Sequence, residues 1–192
     1  MALKKLPQKL SSPRSGQQHL ATVARLWMRS KQNIQVRVCE RQKPVPHTYT
    51  NLIFHIVFAT KERRPLITPE LSARLNDYIG GTVRGLGGIL VEIGGVSDHV
   101  HILVILKPTI SLADFMRELK SCSSKWANEV GGGKFEWQKG YGAFTVGKSQ
   151  VPNVRRYIRN QEEHHRKVDF RAEFLDLLER AGVDHDEKDL WR

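Results

Sequence analysis

From residue 51 onward the apolar residues of this chain follow two different periods, and the order in which they do so limits the fold. Asn51 to Thr60 (NLIFHIVFAT) is an unbroken β-rich run that predicts a first strand. Thr68, Pro69 and Glu70 open a helix, with Thr68 as its cap and Pro69 in the first turn. Leu71, Leu75, Ile79 and Val83 form its apolar stripe, and glycines at 85, 87 and 88 end it. Two strands follow, Ile89 to Ile93 and His99 to Leu106, joined through residues 94–98 as a hairpin. Ser111 caps a second helix whose Leu112, Phe115, Leu119 and Trp126 face inward. A strand near Ala143 to Val146, a helix from Pro152 through about His165, and a last helix over Phe170 to Ala181 complete the pattern. The order β-α-β-β-α-β-α predicts an α+β domain: a mostly antiparallel sheet with helices packed on it. There is no internal repeat.

The 192 residues divide at about Pro46. Residues 1–46 are rich in Gln, Ser, Lys and Arg, contain four prolines, and hold only a weak helical pattern at Leu20, Val23, Ala24 and Trp27. They predict a mostly disordered basic N-terminal extension, or else a stretch outside the natural product, with residues 47–192 forming the folded domain. Five lysines, five arginines and one acid, Glu40, give the extension +9 of the total charge of +11, leaving +2 for the rest. The excess points to a polyanionic partner, but any nucleic-acid site in the domain must come from local clustering. The longest apolar stretch, Ile102 to Leu106, is far too short to cross a bilayer, and no signal peptide follows Lys4 and Lys5. Cys39 and Cys122 match no disulfide framework or zinc spacing, so the expected setting is the cytoplasm, without membrane contact and near the nucleoid.

Chemistry concentrates in two segments. His99-Val100-His101 opens a strand, and alternation puts both imidazoles on one side, about 7 Å apart along the chain, where they can converge on one metal ion. Tyr157 and Gln161 are four apart on a helix and share a face. With an ordinary pKa near 10, a tyrosine is only about 0.1% phenolate at neutral pH, so Tyr157 is a usable nucleophile only when activated. A metal that polarises a target phosphate lowers that barrier. Glu162 and Glu163 are near enough to be considered as bases, but read equally as solvated; His164 and His165 read as a polar helix end.

Taken as a set, these residues resemble a known family. Residues 97–103 (SDHVHIL) resemble the histidine–hydrophobe–histidine motif of HUH endonucleases, and residues 157–166 (YIRNQEEHHR) resemble the nucleophile helix of the single-tyrosine transposases of the smallest bacterial insertion sequences. Residues 140–146 (GYGAFTV) and 47–52 (HTYTNL) are similar to further segments of that family, with order and spacing kept. The resemblance implies a ferredoxin-like or RNA-recognition-like sheet, an obligate homodimer, and a divalent cation, Mg²⁺ or Mn²⁺. It implies cleavage and rejoining of single-stranded DNA at hairpin-bearing element ends through a 5′-phosphotyrosine. Residue by residue, His99 and His101 fall on metal ligands, Gln161 on the third ligand and Tyr157 on the nucleophile. Residues 1–46 depart from the family's compact members.

DNA contacts beyond the site are expected from Lys61, Arg63 and Arg64 after the first strand, Lys120 and Lys125 on the second helix, and Arg155, Arg156 and Arg159 around Tyr157. Trp137, Tyr141 and Phe144 are candidate base-stacking rings. The rival readings are a replication initiator or relaxase, a catalytically silent single-stranded DNA-binding protein, and an RNA-binding module. The short chain and the Tyr-x₃-Gln helix favour the transposase over the first. The full set of four site residues counts against the second, and the absence of an aromatic, basic platform in Asn51 to Thr60 counts against the third.

Overall fold

The computed structural model describes residues 49–131 and 133–190; the expected extension over residues 1–46 lies outside them. Strand β1 (Leu52–Ala59) leads through a 3₁₀ turn at Lys61–Arg63 to helix α1 (Pro69–Gly85). The hairpin strands β2 (Ile89–Gly95) and β3 (His99–Leu106) come next, then helix α2 (Leu112–Gly131) and strand β4 (Gly142–Thr145). Helices α3 (Val151–Arg159), α4 (Gln161–His165) and α5 (Phe170–Arg180) follow, with a last helical turn, α6 (Glu187–Leu190). The sheet order is β2-β3-β1-β4 and every pairing is antiparallel, which is the ferredoxin-like arrangement expected from the resemblance. Among the described residues no helix is long and apolar enough to cross a membrane.

Local chemistry explains the element ends. The Thr68 hydroxyl accepts from the Leu71 backbone N–H at 3.3 Å, and Pro69 occupies the first turn, as expected of an N-terminal cap. At the other end of α1, Gly87 takes φ = +83°, a left-handed conformation that glycine adopts without steric cost.

Pleating sorts the sheet's side chains onto two faces, and both are covered. Ile56 and Phe58 of β1 with Val100, Ile102, Val104 and Leu106 of β3 pack against Leu75, Ile79 and Val83 of α1 and Phe115, Met116 and Leu119 of α2. Each such fully buried side chain contributes about 1.5–3 kcal/mol. On the opposite face Ile53, Leu103 and Ile158 form one cluster with α3, and Val57, Ala59 and Phe170 form another with α5. Double coverage is why β1 and β3 read as continuous apolar runs rather than alternating ones. The second face is interrupted by His55, His99 and His101, all buried.

Two features differ from the sequence expectation. The single helix expected from Pro152 to His165 is broken at Asn160 (φ −99°, ψ 21°), whose N–H bonds back to the carbonyls of Arg156 and Tyr157, both at 3.2 Å. Asparagine tolerates this turn geometry well, and its own carbonyl then starts α4 by accepting from His164 N–H at 2.9 Å. The other is a register shift between Leu90 and Glu92 on the edge strand β2.

Candidate active site

The site begins at the start of β3. His99 and His101 point to the same face, and each has its Nδ1 occupied by a neighbour. Asp98 Oδ1 lies 2.7 Å from His99 Nδ1, and since a carboxylate only accepts, that nitrogen donates and Nε2 is the one turned into the site. Burial opposes charge on Asp98, but the His99 bond and then Arg63 outweigh it and hold its carboxyl below the ordinary range. Arg63 donates to Asp98 Oδ2 at 3.2 and 2.9 Å and lies over the Phe170 ring at 4.9 Å. His101 Nδ1 meets His55 Nε2 at 3.0 Å, which leaves His101 Nε2 buried and without a hydrogen-bond partner. Burial, followed by the neighbouring His101, pushes His55 down to about 3; burial likewise pushes His101 down to about 4. Both rings are therefore neutral near pH 7, as metal-ligating imidazoles must be.

Helices α3 to α5 close the site from above. Gln161, 1% exposed, brings Oε1 to 3.4 Å from His99 Nε2 and donates through Nε2 to Glu173 Oε1 at 2.9 Å. The Tyr157 hydroxyl donates to the same Glu173 oxygen through a short hydrogen bond, and its ring stands edge-on to His101 at 5.7 Å. Burial, then the Glu173 carboxylate, push the Tyr157 phenol well above its ordinary value, so it stays protonated near neutrality. Tyr157 also borders a cleft of about 510 Å³ lined by Asn153, Arg156, Asn160 and Lys167.

The donor set fits a metal ion. His99, His101, His165 and Glu173 each offer one ligand atom, and these atoms all lie within 4.8 Å of one another. Glu173 Oε2 is 3.6, 3.4 and 3.1 Å from Nε2 of His99, His101 and His165 respectively. Two donors each about 2.1 Å from one ion, at octahedral to tetrahedral angles, stand about 3.0–3.5 Å apart. Those spacings, with the orphaned His101 nitrogen, leave room for a cation between the donors, while His165 Nε2 and Glu173 Oε2 are also within direct hydrogen-bond reach at 3.1 Å.

The backbone holds α3 against the hairpin. A Cβ on Gly94 would collide with the Ile158 carbonyl oxygen and come within 3.2 Å of Ile158 Cγ2, so only glycine lets the helix that carries Tyr157 lie so close to β2. Glu92 Oε2 anchors the same helix through Arg155 at 3.2 Å and Arg159 at 2.8 Å. Glu62 and Arg63 both take left-handed backbone, φ 55° and 54°, a strained conformation fixed by Arg63–Asp98 and by the Glu62 N–H bond to Gln138 Oε1 at 3.1 Å.

The eight basic residues expected at DNA do not form one group. Lys61 pairs with Glu136 at 2.7 Å, Arg63 with Asp98, and Arg155 and Arg159 with Glu92. The Lys120 ammonium donates to the carbonyls of Gln138, Lys139 and Gly140, the last two at 3.1 and 2.9 Å. Burial pushes it down to about 8, so it braces the loop before β4. Arg64, Lys125 and Arg156 have no acidic partner among the described residues; Arg156 donates to the Asn153 side chain at 3.2 Å. Of the three candidate stacking rings, Trp137 belongs to the core, donating to Ser123 Oγ at 2.9 Å, and Phe144 is half-buried against His55. Tyr141 is the exposed one, at 38%.

Sequence reasoning missed three members of the site. His55 is a lone polar residue inside an apolar strand, and Glu173 is a lone acid beside Phe170, Phe174 and Leu177 on the face that α5 buries. Each interruption was a readable signal. His165, expected as a solvated helix end, instead reaches Glu173 Oε2, and His164 Nε2 lies 3.4 Å from Glu173 Oε1. Glu162 and Glu163 are exposed, and Glu163 pairs with Arg166 at 2.8 Å.

The chain is similar to known transposases. The transposase for insertion sequence element IS200 of Salmonella typhimurium is 32% identical over 129 residues, covering 64% of this chain and 84% of that protein. The ISDra2 transposase TnpA of Deinococcus radiodurans is 23% identical over 120 residues, covering 58% of this chain and 85% of that protein. A crystal structure of a protein described as a transposase from Deinococcus radiodurans R1 superposes with a TM-score of 0.51 at 25% identity, covering 62% of this chain and 98% of that one. A family model described as "Transposase IS200 like" matches residues 48–161, more than half of the chain, and the chain belongs to that family. The matched span contains His99, His101 and Tyr157 and ends at Gln161, so His165 and Glu173 lie beyond it.

Proposed function

We propose that this transposase cleaves and rejoins single-stranded DNA, with Tyr157 as the nucleophile and with His99, His101 and Gln161 holding Mg²⁺ or Mn²⁺. The observation that carries the reading is the meeting of a phenol and an amide from α3 and α4 with two buried strand imidazoles, His99 Nε2 lying 3.4 Å from Gln161 Oε1. When bound, the cation supplies Lewis-acid polarisation of the scissile phosphate. The Tyr157 oxygen attacks phosphorus as its proton passes to Glu173 Oε1, the acceptor it already meets. The bond from phosphorus to the 3′-oxygen breaks, and that oxygen takes a proton from solvent. The product is a 5′-phosphotyrosine and a free 3′-hydroxyl. Attack by another 3′-hydroxyl reverses the exchange and rejoins the strand, so no nucleotide hydrolysis is needed.

Arg156 and Lys167, beside the Tyr157 cleft, are suited to phosphate contacts. A half-buried hydroxyl favours a strand that bends into the cleft over a rigid duplex. Hairpin-bearing element ends as the substrate, and a homodimer as the active unit, belong to the same proposal.

The test is incubation with single-stranded and duplex oligonucleotides, each labelled at its 3′ end, in Mn²⁺ or Mg²⁺. A labelled protein band on a denaturing gel is expected with the single strand and not with the duplex. Tight binding without such a band in either metal would instead favour the silent single-stranded DNA-binding role.

Gly94→Ala tests how closely the nucleophile must be held. The added methyl pushes α3 away from β2, and a displacement of about 1 Å is expected to lower cleavage about a hundredfold. Folding is expected to survive with a loss of about 1–3 kcal/mol in a denaturant titration. The control is Gly81→Ala on α1, where a Cβ meets only Arg84 Nη2 at 3.9 Å and activity should be unchanged. Equal cleavage by the two variants would separate the position of α3 from catalysis.

A further inference from the structure

We infer that Glu173 is the anionic ligand of the same cation, so that the metal site of this chain is completed by helix α5. The inference rests on the metal reading above and adds a ligand that lies beyond the residues matched by the family model.

Glu173 is a buried charge. It is 3% exposed, and its ion-pair partners among the described residues are all histidines: His99, His101, His164 and His165. No lysine or arginine ion-pairs with it among the described residues, and its oxygens face ring nitrogens at 3.1–3.6 Å. A buried carboxylate without a balancing cation is expensive. A divalent ion among these four groups removes the imbalance.

Ligand chemistry points the same way. His99, His101 and Gln161 are all neutral donors. Mg²⁺ and Mn²⁺ are hard ions that favour anionic oxygen, and two imidazoles with one amide make a poor site for them. Glu173 contributes the only carboxylate in the cluster of potential ligands found among the described residues.

The two carboxylate oxygens of Glu173 also face different partners. Glu173 Oε1 faces Tyr157 and Gln161, while Oε2 faces the imidazole nitrogens of His99, His101 and His165. One oxygen is thus directed at the nucleophile and the other at the metal position. The helix is held for this purpose: Asp169 Oδ1 caps it by accepting from Ala172 N–H at 2.9 Å, and Phe170 and Phe174 pack on Val57 and Ala59 of β1. The competing role is a structural clamp, in which Glu173 merely ties Tyr157 and Gln161 together.

Mn²⁺ binding to the full chain separates the two roles. Calorimetric titrations and thermal melts with and without Mn²⁺ are run on the wild type, Glu173→Gln, and His99→Ala/His101→Ala. As a ligand, Glu173 is expected to support affinity, so Glu173→Gln weakens Mn²⁺ binding at least about tenfold and loses the rise in melting temperature that Mn²⁺ gives the wild type. A clamp predicts unchanged Mn²⁺ affinity and an undiminished rise in melting temperature with Mn²⁺. If Glu173→Gln does not fold, Glu173→Asp keeps the charge but withdraws the oxygens by one methylene, and weakened Mn²⁺ binding is again expected. Wild-type affinity in the Glu173 variant, alongside lost affinity in the histidine variant, overturns the inference and leaves the histidine site standing. Absence of Mn²⁺ binding by the wild type, or undiminished binding by both variants, overturns the metal reading as well.

Discussion

Tyr157→Phe is expected to abolish strand cleavage and the covalent protein–DNA band together, lowering the rate by at least about a thousandfold while DNA affinity stays within about twofold. The substitution removes one oxygen and keeps the ring, which packs beside His55 at 6.0 Å, His101 at 5.7 Å and His164 at 5.2 Å. It also takes a donor from Glu173 Oε1, leaving Gln161 as that oxygen's short-range partner at 2.9 Å. Losing a hydrogen bond to a buried charged group costs about 1–3 kcal/mol, so the variant should melt somewhat lower, and cleavage must be measured below that temperature. A quantitative gel after long incubation checks the chemistry, and a filter-binding curve checks affinity. Full cleavage by the phenylalanine variant would put the nucleophile elsewhere and sink the mechanism. Cleavage without the covalent band would point to attack by water at the same site.

The fold was legible because each of its long elements carries a strong local signal. Thr68-Pro69 starts α1, glycine ends it, and the runs over 52–59 and 99–106 are too apolar and β-branched to be anything but buried strands. His99, His101 and Tyr157 were equally legible, the first two by strand alternation and all three through resemblance. What sequence did not reveal depends on long-range pairing. Lys61 and Glu136 are separated by 75 residues, and Arg155 and Glu92 by 63, so a count of positive charges overstated what is free to meet phosphate. Lys120 was indistinguishable from a surface lysine until the loop at 138–140 brought three carbonyls to it. Trp137 read as a stacking ring because nothing local foretells its packing against Phe58 and Phe135, with ring centroids 4.8 Å apart in both cases. The helix break at Asn160 was hidden for a related reason: the 157–165 stretch has helical periodicity, and its interruption is set by a single turn-tolerant residue.

Replacing both His99 and His101 with alanine should remove Mn²⁺ affinity by at least about a hundredfold and eliminate cleavage, with single-stranded DNA binding largely kept. The selectivity follows from placement. Both rings are fully buried beneath α3 to α5, whereas Arg156 and Lys167 beside the Tyr157 cleft lie at the surface. The two histidines are not equivalent in what else they support. His99→Ala leaves Asp98 still paired with Arg63, but removes the ring packed on Phe170 at 4.4 Å. His101→Ala takes away the partner of His55 Nε2 and the ring stacked on it at 5.2 Å, leaving a buried polar atom beside a void. Each truncation is expected to cost about 2–4 kcal/mol, the second more than the first, so singles as well as the double must be shown to fold by circular dichroism before metal is added. Calorimetry then reads the metal site directly, at a temperature where all variants are native. If a folded double variant bound Mn²⁺ with wild-type affinity, the strand histidines would not be the ligands. The strained Arg63–Asp98 support behind His99 would then need a purpose other than presenting an imidazole to a cation.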